Sequence, residues 1–159
     1  MHLTTMAPEP DLTETSQCLC LASRKAARAI TRAFEKELRP HGIRATQFSA
    51  LAILEIRGPQ PIGALAGVLG TERTTLTRNL AVLEARGLVR IEPGADARVR
   101  RAAITAQGRA ALRRALPAWH RVQSALTQSI GAPLADSLRR LARSARALGS
   151  DTPEPGGPS

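Results

Sequence analysis

The sequence predicts a mainly α-helical fold that is interrupted by one small β-hairpin. Apolar residues recur at helical spacing along most of the 159-residue chain. Two short β-type segments, residues 88–92 and 99–104, are joined by a loop that contains Pro93 and Gly94. Two helical segments meet at Gly70 shortly before them. Two helices, a tight turn and a hairpin together predict a winged helix-turn-helix.

The first two predicted helices are bounded by residues that start or stop helices. We expect a first helix over about residues 15–39, because Pro40 cannot continue it. A second helix is expected to begin at Thr46, a favourable N-cap residue, and to end before Gly58.

The helix-turn-helix is predicted over residues 62–69 and 72–86, with Gly87 as the C-terminal cap of its second helix. Leucines at helical spacing are expected to pack the two helices together. They are Leu65, Leu69, Leu76, Leu80 and Leu83.

Two further helices are predicted after the hairpin. Thr105 is expected to cap a long helix that reaches about Ser129 and is interrupted and kinked by Pro117. The last helix follows Gly131 and carries a narrow leucine seam that is typical of helix-on-helix packing. The first helix and these two exceed what a small winged module needs, so we expect them to form a dimerisation layer.

The predicted organisation therefore has five parts. They are a flexible N-terminus at 1–13, an N-terminal dimerisation helix at 14–45, a winged helix-turn-helix DNA-binding region at 46–104, C-terminal dimerisation helices at 105–149 and a disordered tail at 150–159.

Charge favours a polyanionic partner. The formal net charge is +10, and nearly all of the basic residues are arginine, which suits bidentate contacts to phosphate and guanine. A compositional bias toward arginine is the alternative explanation for most arginines outside residues 71–101. No apolar segment approaches the roughly 18 residues that span a bilayer, and no secretory signal is evident, so we expect a cytoplasmic protein without a membrane partner.

The second helix of the helix-turn-helix carries a hydroxyl- and arginine-rich face opposite its leucines. If its N-terminus enters a major groove, the arginines reach guanine edges and the threonines reach thymine methyls or phosphates. A solvated helix face is the alternative. The candidate DNA-reading residues on this helix are Arg73, Thr74, Thr75, Thr77 and Arg78.

The order of these elements resembles the MarR (multiple antibiotic resistance regulator) family over roughly residues 16–148. The most specific segments are Gly70-Thr71-Glu72-Arg73-Thr74-Thr75-Leu76-Thr77-Arg78, Leu83-Glu84-Ala85-Arg86-Gly87-Leu88-Val89 and Ile104-Thr105-Ala106-Gln107-Gly108-Arg109. This resemblance implies a homodimer that represses genes by covering a pseudo-palindromic DNA operator and that releases it in response to a small molecule or an oxidant.

The resemblance also implies roles for residues of the wing, which is the predicted hairpin at residues 88–104. Arg98 lies where the family places a minor-groove arginine, and Arg100 is a further candidate DNA contact. Asp96 is implied to stabilise the wing turn through a salt bridge with an arginine, for which Arg100 is a candidate.

The sequence leaves open two hypotheses for how DNA binding is controlled. Cys20 resembles by position the reactive cysteine of peroxide-sensing members, and Arg24, one turn later, would stabilise a thiolate. Cys18 and Cys20 point about 200° apart if both lie in a helix, which argues against a mutual disulfide. Buried, inert cysteine is the alternative. That branch supports its cysteine with tyrosines, and this chain contains none.

The other kind of control is a small phenolic or carboxylate effector, bound in the cleft that family members use between the dimer helices and the DNA-binding lobe. The candidate lining residues are Phe48, His41, Trp119 and His120; a core role for Trp119 is the alternative.

Other functional classes find less support. No catalytic constellation, phosphate-binding loop, cofactor motif or zinc spacing is evident, so we expect neither an enzyme nor a bound cofactor or metal. A DNA-coating protein without sequence preference remains an alternative, against which the threonine-rich face argues.

Overall fold

The computed structural model describes residues 12–96 and 98–150, and its helices surround one small antiparallel sheet. Six α-helices and three strands follow each other along the chain: α1 (Leu19–Leu38), α2 (Ala45–Arg57), β1 (Gln60–Pro61), α3 (Ile62–Leu69), α4 (Arg73–Ala85), β2 (Val89–Pro93), β3 (Arg100–Ile104), α5 (Ala106–Ile130) and α6 (Ala132–Ser150). Short 3-10 helices occupy Thr13–Gln17 and Arg39–His41. Within these ranges, no helix combines the length and apolarity needed to cross a membrane.

The predicted hairpin is part of a three-stranded sheet. β2 and β3 pair antiparallel from Val89 opposite Ile104 to Pro93 opposite Arg100. β1 adds a third strand on the other side of β3, with Gln60 opposite Ala102, so the strand order is β1-β3-β2. A two-residue strand leaves no alternating pattern, which explains why the sequence did not predict β1.

The apolar core lies where α2, α3 and α4 meet the sheet and the first half of α5. Leucines dominate it, as the low aromatic content requires, and Phe34 and Trp119 pack against its edge. The leucines with no more than 2% of their surface exposed are Leu38, Leu51, Leu54, Leu65, Leu76, Leu80 and Leu83.

The junction between β3 and α5 is closely packed. Thr105 is the N-cap of α5, as predicted: its hydroxyl oxygen accepts a hydrogen bond from the backbone N–H of Gly108 (3.0 Å) and donates to the carbonyl of Gly87 (2.6 Å). A Cβ at Gly108 would lie only 2.0 Å from the carbonyl oxygen of Leu88. Glycine is therefore required for the close approach of α5 to the start of the wing.

Three sequence predictions about helices need correction. α1 begins at Leu19 rather than near Thr15, because a 3-10 helix precedes it. α2 begins one residue before Thr46, and the Gln47 side chain, not Thr46, caps it by accepting from the backbone N–H of Arg44 (3.1 Å). α5 runs without interruption through Pro117.

Apolar side chains remain exposed on the helices outside the winged module. Leu19 at the start of α1 is 84% exposed, and Leu134 and Leu141 on α6 are 58% and 51% exposed. A dimerisation layer at these helices remains a prediction. The flexible termini predicted at 1–13 and 150–159 lie mostly outside the described residues, although Ser150 belongs to α6.

Candidate nucleic-acid interface

Helix α4 is held by its leucines so that its other sides face solvent. Leu76, Leu80 and Leu83 recur every three or four residues and are at most 2% exposed. On a helix of 3.6 residues per turn, this row occupies one side only. The predicted DNA-reading residues of α4 are all exposed; they are Arg73, Thr74, Thr75, Thr77 and Arg78.

A tight turn sets the direction in which α4 leaves α3. Gly70 adopts the left-handed conformation (φ 61°, ψ 38°), which glycine reaches without steric cost. The backbone N–H of Thr71 then donates to the carbonyl of Ala66 (3.1 Å) and closes the end of α3. Because Leu65 and Ala66 are buried in the core, the N-terminus of α4 is fixed relative to it.

The hydroxyl proton of Thr77 is used in a hydrogen bond within α4. Its Oγ1 donates to the backbone carbonyl of Arg73 at 2.8 Å. A threonine hydroxyl has one proton and two acceptor lone pairs, so this bond leaves Thr77 with acceptor capacity and a methyl group. In this conformation, Thr77 has no proton left to donate to a phosphate.

Two contacts that the sequence did not predict tie α4 to its neighbours. Asn79 donates from Nδ2 to Oγ1 of Thr46 on α2 (3.4 Å). Glu84 accepts at Oε1 a hydrogen bond from the backbone N–H of Ile91 in β2 (3.0 Å). The second contact connects α4 directly to β2. Glu84 lies in one of the segments that resemble the MarR family, but that segment does not indicate its partner.

The tip of the wing is closed by Asp96. Its Oδ1 accepts from the backbone N–H of Arg98 (2.9 Å), and its carbonyl accepts from the backbone N–H of Val99 (2.9 Å). Asp96 therefore stabilises the turn, but the expected partner is wrong: within residues 12–96 and 98–150, Asp96 forms no ion pair with Arg100. The side chains of Arg98 and Arg100 are exposed.

Arg101 is a further residue of the wing, which contributes to the family resemblance but to which the sequence assigned no role. Its Nη2 donates to the carbonyl of Pro59, just after α2, at 2.9 Å. Its Nε is buried and has no hydrogen-bond partner. A side chain of β3 thus reaches across to the loop that leads into the helix-turn-helix.

The residues predicted to line an effector pocket are only partly brought together. The rings of Phe48 and Trp119 stack at a centroid distance of 5.9 Å and an interplanar angle of 10°. His120 lies edge-on against Trp119 at 5.1 Å and is exposed. His41 is also exposed, in the 3-10 turn after α1.

Two cavities adjoin the stacked pair. One, of about 350 Å³, lies between α2 and α5 and is almost entirely apolar, with the ion pair of Arg109 and Glu55 (2.7 Å) among its lining groups. The other, of about 210 Å³, lies between α1 and α2. Phe48 and Trp119 line both cavities, whereas His41 and His120 line neither.

The two cysteines are exposed and unpaired in the chain as described. Cys20 lies in the first turn of α1, and Cys18 precedes that helix with an extended ψ of 118°. Cys18 is therefore not helical, so the 200° separation expected for two helical cysteines does not apply to Cys18 and Cys20. Arg24 is exposed on the following turn of α1.

Comparisons with known proteins place this architecture in a family. The family model of the MarR family matches residues 41–99, which run from the turn between α1 and α2 to the tip of the wing. A search of curated protein sequences gave no match.

Three solved structures of regulators are similar to the chain. The Mycobacterium tuberculosis transcriptional regulator MosR in complex with DNA is 44% identical, with a TM-score of 0.73; the match covers 82% of this chain and 98% of that chain. The transcriptional repressor CouR bound to a DNA duplex is 27% identical, with a TM-score of 0.71 and coverage of 87% and 99%. CouR bound to p-coumaroyl-CoA is 25% identical, with a TM-score of 0.69 and coverage of 91% and 100%.

The family model spans the helix-turn-helix and reaches the tip of the wing, and the three structural matches cover 82% to 91% of the chain. Members of the matched family are DNA-binding transcriptional regulators and not enzymes. The chain belongs to the MarR family of winged helix-turn-helix transcriptional regulators.

Proposed function

We propose that this protein is a homodimeric, sequence-specific repressor that binds a pseudo-palindromic operator in the cytoplasm. The observation that carries the proposal is the exposed surface of α4, where two arginines and three threonines face solvent while three leucines of the same helix are buried. The N-terminal end of α4 is held outward by the turn at Gly70, which suits insertion into a major groove.

Each side chain of this face has a role that follows from its donors and acceptors. Arg73 and Arg78 are proposed to donate to guanine O6 and N7. Thr77 uses its proton within the helix, so we assign it to a thymine methyl or to a base amino group rather than to a phosphate. Thr74 and Thr75 make no hydrogen bond within the described residues that would prevent them from donating to phosphate.

The wing is proposed to enter the adjacent minor groove. Asp96 holds the turn through the backbone of Arg98, which leaves the Arg98 guanidinium exposed for DNA. Arg100 is proposed as a phosphate contact beside it. The bond between Glu84 and the backbone of Ile91 supports joint placement of α4 and the wing.

A dimer is proposed because α1 and α6 expose leucines that a single chain does not cover. Leu19, Leu134 and Leu141 are each more than half exposed, and exposed apolar side chains on these two helices favour burial against a second subunit. Two recognition helices related by a two-fold axis then read half-sites about 34–36 Å apart.

Two signals remain candidates for release from DNA. The apolar cavity beside Phe48 and Trp119 favours an aromatic effector, and Arg113 in its lining is a candidate partner for a carboxylate on that effector. The similar repressor CouR has been solved bound to p-coumaroyl-CoA, the thioester of a phenolic acid. Exposure of both cysteines favours oxidation at Cys20 as the alternative, with Cys18 and Arg24 nearby in the chain. These alternatives call for different tests because only the second requires a thiol.

The test of DNA recognition is selection from random duplexes, followed by competition against unrelated DNA. We expect enrichment of a two-fold symmetric sequence that binds at least about a thousandfold more tightly than unrelated DNA. A specificity ratio near one would favour the DNA-coating alternative. Analytical ultracentrifugation of the free protein tests the dimer, and a stable monomer would contradict it.

A further inference from the structure

A second concave site lies near the C-terminal end of α4, beyond the residues proposed to read DNA. It is a cavity of about 420 Å³ between the turn that joins α1 to α2 and the C-terminal end of α4. Three arginines line it, Arg39, Arg44 and Arg86, together with Glu35 and Gln47.

None of the three guanidiniums has a partner in the described part of the chain. Arg39, Arg44 and Arg86 neither form an ion pair nor donate a side-chain hydrogen bond there. The chain has 23 basic residues against 13 acidic ones, so many of its guanidiniums lack an acidic partner. What distinguishes Arg39, Arg44 and Arg86 is that all three line one cavity.

The acidic and amide groups of the cavity are already in use. Glu35 accepts at Oε1 from the backbone N–H of Ala45 (2.9 Å), and Gln47 accepts at Oε1 from the backbone N–H of Arg44 (3.1 Å). Both bonds hold the start of α2 in place. One carboxylate against three guanidiniums leaves the cavity with an excess of positive charge.

The backbone of the turn adds to the site. Nη2 of Arg86 lies 3.4 Å from the position that a Cβ would take at Gly42. Because Gly42 has no side chain, the Arg86 guanidinium can lie against the turn and face the same space as Arg39 and Arg44. Guanidiniums repel one another, and a bound oxyanion between them removes that repulsion while accepting bidentate hydrogen bonds.

We propose that this cavity binds a phosphate group. The group belongs either to a free phosphorylated molecule or to the backbone of DNA beside the operator. Arg86, the residue that caps the C-terminal end of α4, follows Arg78 by eight residues, which is about 12 Å along the helix axis. A strand that leaves the major groove near Arg78 is therefore within reach of the cavity, and the cavity is also large enough for a free pyrophosphate.

The first experiment uses inorganic pyrophosphate without DNA. Isothermal titration of the full-length protein is expected to show saturable binding that weakens at least about tenfold in the double variant Arg44→Gln/Arg86→Gln, which loses two charge-assisted contacts. The matched control is Arg114→Gln/Arg143→Gln, which removes the same charge from exposed arginines of α5 and α6. It is expected to bind as the unmodified protein does.

The second experiment uses the selected operator with short and with extended flanks. If the phosphate is that of DNA, Arg44→Gln/Arg86→Gln lowers affinity for the extended duplex and lowers the slope of log affinity against log salt by about one to two relative to the control variant. Arg44→Lys/Arg86→Lys keeps the charge and is expected to recover part of the affinity.

Either result supports a phosphate site and identifies its source. The proposal is overturned if the cavity variant and the control variant behave alike in both experiments. The DNA experiment rests on the proposed function, whereas the pyrophosphate titration does not. Failure of the protein to select any operator would therefore count against the proposed function, and the titration alone would then decide the proposal.

Discussion

Arg101 and Pro59 join the wing to the loop before the helix-turn-helix by a hydrogen bond of 2.9 Å from Nη2 to the carbonyl oxygen. The bond links β3 to a segment 42 residues earlier in the chain. The β1–β3 pairing alongside it is only two residues long, so this side chain adds substantially to a short backbone connection.

Replacement of Arg101 by Met is expected to loosen the wing without changing base preference. The variant keeps most of the apolar stem and loses the charged hydrogen bond, at a cost of about 1–2 kcal/mol in unfolding free energy after allowance for partial exposure. Hydrogen exchange should accelerate at β1 and β3, and operator affinity should fall. Arg101→Lys retains a donor and is the control; equal exchange in Met, Lys and unmodified proteins would contradict the role.

Replacement of Gly108 by Ala should destabilise the fold even though alanine is the better helix former. The new Cβ would lie 2.0 Å from the carbonyl oxygen of Leu88 and 2.8 Å from Cγ1 of Ile104, which forces α5 away from the wing. We expect a loss of about 2–3 kcal/mol, measured by urea unfolding at fixed protein concentration.

The control for this substitution is Gly63→Ala in α3, where an added Cβ meets nothing within 4 Å. It should leave stability unchanged or raise it by up to about 1 kcal/mol, since only helix propensity changes. A Gly108→Ala protein as stable as the Gly63→Ala protein would show that the β3–α5 junction adapts freely.

On α4, replacement of Arg73 or Arg78 by Ala should change base preference as well as affinity. A bidentate contact to guanine contributes about 1–3 kcal/mol of discrimination, so each variant is expected to tolerate a different base at one symmetric pair of operator positions. Binding to single-substituted operators by fluorescence anisotropy measures this. An unchanged ranking of all operators for both variants would remove α4 from the base-reading surface.

In the wing, Arg98→Ala is expected to weaken binding roughly tenfold or more, with little change in base ranking at the positions read by α4. The loss should shrink as salt rises, because part of the contact is electrostatic. Arg114→Ala on α5 removes the same charge and serves as the control. Equal affinities of the two variants would contradict placement of the wing on DNA.

Much of the fold was predictable because helices, caps and leucine rows are local features. Thr105 and the leucines of α4 were placed correctly from spacing alone. The interruption expected at Pro117 was wrong, because a proline inside a helix need not interrupt it. The cap expected at Thr46 was wrong, because Gln47 caps α2 instead. Each of these errors concerns one residue whose effect depends on neighbours that the spacing does not reveal.

The exposed side of α4 could be predicted from the spacing of its leucines. The contacts that hold the wing in place could not be predicted from spacing. Arg101 donates to Pro59 and Glu84 accepts from Ile91, and neither partner is indicated by helical spacing or by the family segments. Asp96 bonds to the backbone N–H of Arg98, and no ion pair with Arg100 is found in the described residues, because a carboxylate two residues from a free backbone N–H bonds locally. Hydrogen bonds between distant segments, and those specific to one turn, cannot be predicted from local spacing in the sequence.

Cys20 lies exposed at the start of α1, and this position allows a test of whether oxidation of its thiol releases the protein from DNA. If this thiol is the sensor, an organic hydroperoxide oxidises the thiolate to a sulfenic acid and is itself reduced to the alcohol, and the protein leaves its operator. Cys20→Ser should then stay bound in an anisotropy assay with peroxide, whereas Cys18→Ser shows whether the second thiol takes part. Release of Cys20→Ser at the unmodified rate would contradict the thiol hypothesis and leave the cavity beside Trp119 as the site of control.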